Sequence, residues 1–492
     1  MQNINDKKIV TRFAPSPTGF MHVGNVRAAL YAWLWTKKNN GTFILRIEDT
    51  DKEREVSGSV EHIQESLKWL GLNWDEGPGI GGPSATYLQS ERLDLYKKYA
   101  QKLIDGGFAY TDNTSEEQIE ELRKKAEEEK RPFLFREFRP QNPPPWDGTM
   151  PLRFKVPTVK DYHWHDMVFG DLSAGPEMLD DFILIKSDGY PTYNFAHIVD
   201  DIEMGVTLVM RGQEYIASTP KYLSVYGALG VNPPEYACLP HIMADGGKKK
   251  LGKRDGAKDI LEYRKEGYLP VAMINFLAFL GWNPGGDKEI FTTEELIKVF
   301  EISKIQKSGA QLNSTKLDWL NKEHMKLMSE NERNTEIINR LKSNSISADE
   351  RFLVKLCPVI FDHISKWGDI DALVGAGELE YYFHSPEYNA ELLSWKGSDK
   401  KIAKMHLEFC LSTLESADDN LFTSTEKIKS LLFDYATEKG RGEVLWPLRV
   451  ALSGKDKSPD PFTLIYILGK EETASRIQTA IKKLQRCTLS FV

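Results

Sequence analysis

The chain has 492 residues, with 64 lysines and arginines against 72 aspartates and glutamates, for a net charge of −8. That length supports several domains and a large buried core. The acidic balance excludes indiscriminate adhesion to polyanions but leaves room for a folded nucleic acid on a local basic surface. No apolar run reaches membrane-spanning length, and Met1-Gln-Asn-Ile-Asn-Asp-Lys-Lys8 lacks the apolar core of a signal peptide, so a cytoplasmic protein is expected. Cys238, Cys357, Cys410 and Cys487 form no Cys-x-x-Cys pair, which fits reduced thiols.

Lys8-Ile-Val-Thr-Arg-Phe-Ala14 reads as a short buried strand and residues 26–35 as an apolar helix. The run Arg12-Phe-Ala-Pro-Ser-Pro-Thr-Gly-Phe-Met-His22-Val-Gly-Asn25 therefore falls at a strand-to-helix turn. Open backbone N–H groups and the positive end of the helix favour a phosphate there. His22 and Asn25 share one face of the first turn and both can donate hydrogen bonds. Gly24 lets a flat ring or a phosphate approach the backbone. Residues 42–48 form a second predicted strand, ending in Glu48-Asp49-Thr50-Asp51, and residues 56–70 and 91–105 form amphipathic helices. Strands alternating with helices predict one half of a parallel, doubly wound α/β domain over residues 1–110.

The alternation breaks at Thr111. Residues 116–130 form a charged helix, Pro143-Pro-Pro-Trp-Asp-Gly148 a loop, and Leu152-Arg-Phe-Lys-Val156 and Phe182-Ile-Leu-Ile-Lys186 strand-like pieces. Residues 111–188 thus read as an α+β insertion. Parallel α/β signals return with His197-Ile-Val-Asp-Asp201, Val206-Thr-Leu-Val-Met-Arg211 and a helix over residues 219–229, giving the second half of a split domain over residues 189–254. Beyond that the strand signals fade. Helical apolar spacing carries residues 268–280, 293–300, 314–322 and most segments to the C-terminus, predicting helical regions over residues 255–325 and 326–492.

Asp245-Gly-Gly-Lys-Lys-Lys-Leu-Gly-Lys-Arg-Asp-Gly256 is a glycine-rich lysine loop at the end of the split domain, a mobile cationic clamp suited to triphosphate charge. Together, His22-Val-Gly-Asn25, a split α/β domain, Lys250-Leu-Gly-Lys-Arg254 and a helical tail resemble the class I aminoacyl-tRNA synthetases. Arg12-Phe-Ala-Pro-Ser-Pro-Thr-Gly19, Arg46-Ile-Glu-Asp-Thr-Asp51, Leu251-Gly-Lys-Arg-Asp-Gly-Ala257 and Trp446-Pro-Leu-Arg-Val-Ala-Leu452 are similar to the glutamyl-tRNA synthetases in particular. The resemblance implies a Rossmann-like catalytic domain carrying an acceptor-end-binding insertion. A helical stem-contact domain and a helical anticodon-binding region of the bacterial type would follow.

It also implies an activity: ATP-dependent joining of glutamate to the 3′ end of tRNA(Glu) through a glutamyl-adenylate. Catalytic roles would fall to His22, Asn25, Lys250, Lys253 and Arg254. Glutamate would meet Arg12, Ala14, Ser16, Glu48, Tyr193, His197 and Arg211, with Arg12 and Arg211 on carboxylate and Glu48 on the ammonium. ATP, with Mg²⁺ held by its phosphates, would meet Thr18, His22, Gly24, Glu214, Tyr215 and Lys253. Candidate tRNA contacts are Arg131, Arg136, Arg139, Trp146 and Arg153 in the insertion, and Arg441, Trp446 and Arg449 in the tail.

The chain departs from the family's commoner wording at Asn25, at Leu251-Gly252 and at His197. Some relatives open a zinc site with Cys-x-Cys after an Ala-Tyr. Ala109-Tyr-Thr-Asp-Asn113 has no cysteine, so no structural zinc is expected, and His163 and His165 are not read as ligands. A monomer without membrane attachment is expected. A glutaminyl-tRNA synthetase, or an enzyme charging both tRNAs, stays open as the alternative.

Overall fold

The computed structural model describes residues 8–84, 86–244, 249–251 and 258–489. The chain divides into two units, Met1–His324 and Met325–Val492. In the first, β1 (Val10–Phe13) leads into α1 (Val23–Lys38), and β2 (Thr42–Leu45) returns parallel to β1 with Val10 opposite Thr42. After α2 (Ser59–Trp69) and α3 (Leu93–Asp105) come β3 (Ala109–Thr111), α4 (Glu116–Glu128), β4 (Leu152–Phe154), β5 (Tyr162–Asp166), β6 (Gly170–Ala174) and β7 (Ile183–Ile185). The α/β pattern resumes with α5 (Tyr193–Glu203), β8 (Leu208–Gly212), α6 (Thr219–Leu229) and β9 (Glu235–Leu239).

The central sheet has the order β2-β1-β8-β9-β5-β6, parallel from β2 to β5 and antiparallel at the last pair. The stretch read as one insertion therefore serves two sheets. Strands β3, β4 and β7 form a separate antiparallel sheet, whereas the β5–β6 hairpin extends the central one. Asp166 makes that seam: its buried carboxylate accepts from the N–H groups of Val168 and Phe169 in the hairpin turn and of Cys238 on β9, each at 2.9 Å. Period-2 alternation in β5 turns Trp164 toward the core packing and leaves His163 and His165 exposed, His165 beside Asp171.

Helix α1 is apolar nearly all round because it is covered on several sides: it packs on β1, β2 and β8 and also against α8 (Pro270–Ala278) and α9 (Thr293–Val299). Leu30, Leu34, Leu45, Phe276 and Trp282 belong to the core formed there. Helix α7 (Ile260–Lys265) precedes α8. One detail differs from the helical expectation beyond residue 255: two-residue strands at Ile242–Met243 and Ala310–Gln311 pair in parallel. Helix Ser314–Leu327 ends this part of the chain.

The second unit is built on helices, chiefly Glu330–Ser343, Glu350–His363, Lys400–Ser416, Thr425–Lys439, Arg441–Ser453 and Pro461–Leu489. Leu407, Cys410, Val444, Leu448, Ile465 and Ile477 are buried, and Arg476 is tied to the carbonyls of Tyr381 and Leu452. Cys238, Cys357 and Cys410 are buried free thiols.

Candidate active site

Strand order reverses between β1 and β8, the chain stepping outward to β2 on one side and to β9 on the other. A crevice opens outside the carboxyl ends of strands at such a switch point. Arg12 lies one residue from the end of β1 and Arg211 one residue from the end of β8, so they flank it. Two cavities meet there. The larger, about 950 Å³, is lined by Ser16, Thr18, Glu48 and Lys186 among others. The smaller, about 400 Å³, is lined by Arg12, Gly24, Arg211, Glu214 and Lys250 among others. Phe13, Ala14, His22, Asn25, Tyr193 and Tyr215 line both.

His22 is the N-cap of α1. Its Nδ1 accepts from the Gly24 N–H at 3.0 Å, and Asn25 Oδ1 accepts from the His22 N–H at 3.3 Å. An imidazole lone pair thus does what a hydroxyl or carboxylate does in the usual capping box. A neutral His22 then carries its proton on Nε2, and Asn25 retains its amide donors. A Cβ at position 24 would stand 2.8 Å from His22 Cε1. The flat ring that requires Gly24 is therefore His22's own.

Behind the crevice lies a buried ion network. Arg12 grips Asp201 with Nε at 3.1 Å and Nη2 at 3.4 Å. Arg46 reaches Asp201 at 2.7 Å and Glu48 at 2.9 Å. Asp200 receives Arg92, Gln89 and Tyr96 at 2.7, 2.8 and 2.9 Å. Burial raises the pKa of Asp201, yet Arg12 and Arg46 outweigh it and hold the carboxyl well below the usual range. Burial pushes Glu48 up, with Arg46 and Arg12 partly offsetting it. Sequence reasoning gave Arg12 and Glu48 to substrate. The structure shows Nε and Nη2 of the first and one oxygen of the second already committed to protein partners.

Arg211 is different. All three of its guanidinium nitrogens are buried without a hydrogen-bond partner among the described residues. Its charge lies over the rings of Tyr215, Tyr222 and Tyr236 at 5.1, 4.6 and 5.2 Å. Burial opposes that charge, but Tyr193, Tyr222 and Tyr236 leave its pKa raised.

His197 lines neither cavity. It stacks on Tyr193 at 4.8 Å, and its Nδ1 donates to the Tyr193 carbonyl at 2.6 Å. Burial lowers its pKa to about 3. A neutral ring donating from Nδ1 offers only a lone pair at Nε2, so in this geometry His197 buttresses Tyr193.

On the far wall Lys250 and His241 each stand 3.6 Å from Glu214. Lys253 and Arg254 lie outside the described residues. Of the insertion arginines, Arg153 is buried, bonded to Asp112 and stacked over Phe135 at 3.5 Å, which makes it a strut of the small sheet rather than an open cation. Arg139 is bound to Asp181, Arg136 to the Pro176 carbonyl, and Arg131 to Glu129 and Glu137. In the tail, Arg441 is exposed over Phe433, Arg449 is half-buried, and Trp446 donates to the Leu392 carbonyl. Sequence reasoning missed Arg46, Arg92, Asp200 and Asp201 as a unit. The available signal was two adjacent acids, Asp200-Asp201, inside an apolar helical run.

Comparison with known proteins follows this geometry closely. Residues 8–319 match the family described as tRNA synthetases class I (E and Q), catalytic domain, and residues 322–481 match the anticodon binding domain. The chain is 39% identical to the glutamate–tRNA ligase of Clostridium acetobutylicum, covering 97% of this chain and 99% of the relative. It is 41% identical to that of Clostridium botulinum at the same coverage. A crystal structure of a glutamate tRNA ligase from Elizabethkingia meningosepticum, in complex with its amino acid, superposes with a TM-score of 0.87 at 36% identity, covering 97% of this chain and 100% of that one.

Proposed function

The chain belongs to the class I tRNA synthetases of the E and Q type, and we infer that it is a glutamate–tRNA ligase. Glutamate's α-carboxylate attacks the α-phosphorus of ATP, pyrophosphate leaves, and the resulting acyl-adenylate passes its glutamyl group to a ribose hydroxyl at the 3′ end of tRNA(Glu), releasing AMP. The observation that carries the substrate assignment is Arg211 near the end of β8, a buried guanidinium whose nitrogens have no hydrogen-bond partner among the described residues. Such a group is costly alone and well satisfied by a carboxylate. A glutamine amide pairs with it poorly, which favours glutamate.

In this reading glutamate lies at the wall common to both cavities, Arg211 meeting a carboxylate and the second oxygen of Glu48 the ammonium. Ala14, Ser16, Tyr193 and the remaining Nη1 of Arg12 complete its surroundings. The nucleotide takes the smaller cavity, beside Gly24, Glu214, Tyr215 and Lys250. His22 Nε2–H, Asn25 and the positive end of α1 face its phosphates, with Thr18, Lys253 and Arg254 as further contacts. The larger cavity is left for the tRNA acceptor end, approached past Arg131 and Arg136, while Arg441 and Arg449 serve the anticodon region. Among the described residues no group of three His, Cys, Asp or Glu side chains is placed to hold a metal. Mg²⁺ enters as part of the Mg·ATP substrate, held by its phosphates. Among the described residues no helix is long and apolar enough to cross a membrane. A cytoplasmic monomer completes the proposal.

ATP–pyrophosphate exchange with glutamate or glutamine, run with and without tRNA, tests it. Exchange supported by glutamate, with tRNA(Glu) charged in preference to tRNA(Gln), is expected. Exchange with glutamine alone would overturn the substrate assignment.

A further inference from the structure

Helix α2 carries His62, which none of the roles above uses. Its Nε2 stands 2.9 Å from each carboxylate oxygen of Asp259. Its Nδ1 accepts from the Met21 N–H at 3.5 Å, and Phe20 stacks on the ring at 4.6 Å and 26°. Asp259 is engaged in turn: it caps α7 through the Leu261 N–H at 2.9 Å, and its backbone pairs antiparallel with that of His22. The Ile260 N–H also donates to the Met21 carbonyl at 2.9 Å. His62 thus holds the two residues that precede His22 and, through Asp259, the residue paired with His22. Asp259 lies five residues past the Lys250-Leu-Gly-Lys-Arg254 motif in the sequence.

We propose that His62 is a positioning residue for glutamate activation. It keeps the His22 turn in register with the segment following the lysine-rich loop, so that His22 Nε2–H stays aimed at the nucleotide phosphates. This rests on the reading that His22 serves those phosphates. Both partners of the His62–Asp259 pair are partly exposed, with side chains 11% and 24% accessible. Loss of the pair removes one contact at the turn, whereas a small misplacement of a phosphate-contacting group costs about a hundredfold in rate.

The test is ATP–pyrophosphate exchange by the full-length protein. For His62→Ala the expected result is a kcat lower by about 10- to 100-fold, with the KM for glutamate within about twofold of the parent and little change in melting temperature. His62→Gln places an N–H donor where Nε2 stands and is expected to recover most of the rate; His62→Asn, whose shorter side chain falls short of Asp259, is not. The Gln/Asn contrast also decides the matter should the alanine variant fail to fold. Undiminished exchange in His62→Ala, equal rates in His62→Gln and His62→Asn, or a loss confined to the KM for glutamate would overturn the proposal while leaving the parent activity standing. A wild-type protein without glutamate-dependent exchange would overturn both.

Discussion

Arg12 and Arg211 sit near the ends of adjacent parallel strands and are equally buried, at 5% and 6% exposure, yet they are treated in opposite ways. Arg12 belongs to a closed account of charge, in which Arg12, Arg46 and Arg92 face Glu48, Asp200 and Asp201. Among the described residues Arg211 has aromatic rings and a cavity around it and no hydrogen-bonded carboxylate. Burial alone therefore does not mark a binding group; the informative quantity is the partner that is missing. A satisfied network fixes geometry, whereas an unsatisfied cation stores a preference for an anion that arrives from outside.

The sharpest way to break this contrast is Asp201→Ala. It strips Arg12 and Arg46 of their shared acceptor and is expected to lower stability by about 3–5 kcal/mol, read from urea unfolding midpoints. Arg211→Ala should do the reverse: glutamate kcat/KM falls by about a hundred- to a thousandfold, roughly 3–4 kcal/mol, while the melting temperature changes far less than in Asp201→Ala. Equal stability losses in the two variants would erase the distinction.

Just below pH 6.5 the smallest effect concerns His197, which stands between the two arginines in character, since burial keeps it neutral. Its pKa falls from 6.5 to about 3 on folding. The unfolded chain therefore binds a proton below 6.5 that the folded chain refuses. Its contribution is unchanged above that pH and turns unfavourable as pH falls from 6.5 toward 3, by roughly 1.4 kcal/mol per unit. Urea midpoints above and below pH 6.5 should fall less on acidification in His197→Asn than in the parent chain.

Much of the candidate site was legible because it is local. Residues 12–25 encode a strand, a turn and a helix opening, and the capping role of His22 depends only on Gly24 and Asn25 nearby. The place of Arg211 on a strand was legible too, although the absence of a hydrogen-bond partner for it among the described residues was not. What could not be read are bonds between distant segments: Arg12 to Asp201, 189 residues apart, and His62 to Asp259, 197 apart. Arg153 looked like a phosphate contact by residue type and proved to be a strut, because a guanidinium suits a buried Asp112 as well as a nucleic acid.

The amino-acid order by itself determined the alternation of strands and helices, the strand-to-helix turn at His22 and the helical tail, since these follow from periodicity and capping over a few residues. The folded arrangement alone decided which charges cancel, which cation is left open, and that part of the interrupting segment joins the main sheet. Those outcomes depend on desolvation and on partners brought together across long stretches of chain, and neither is written in any local pattern.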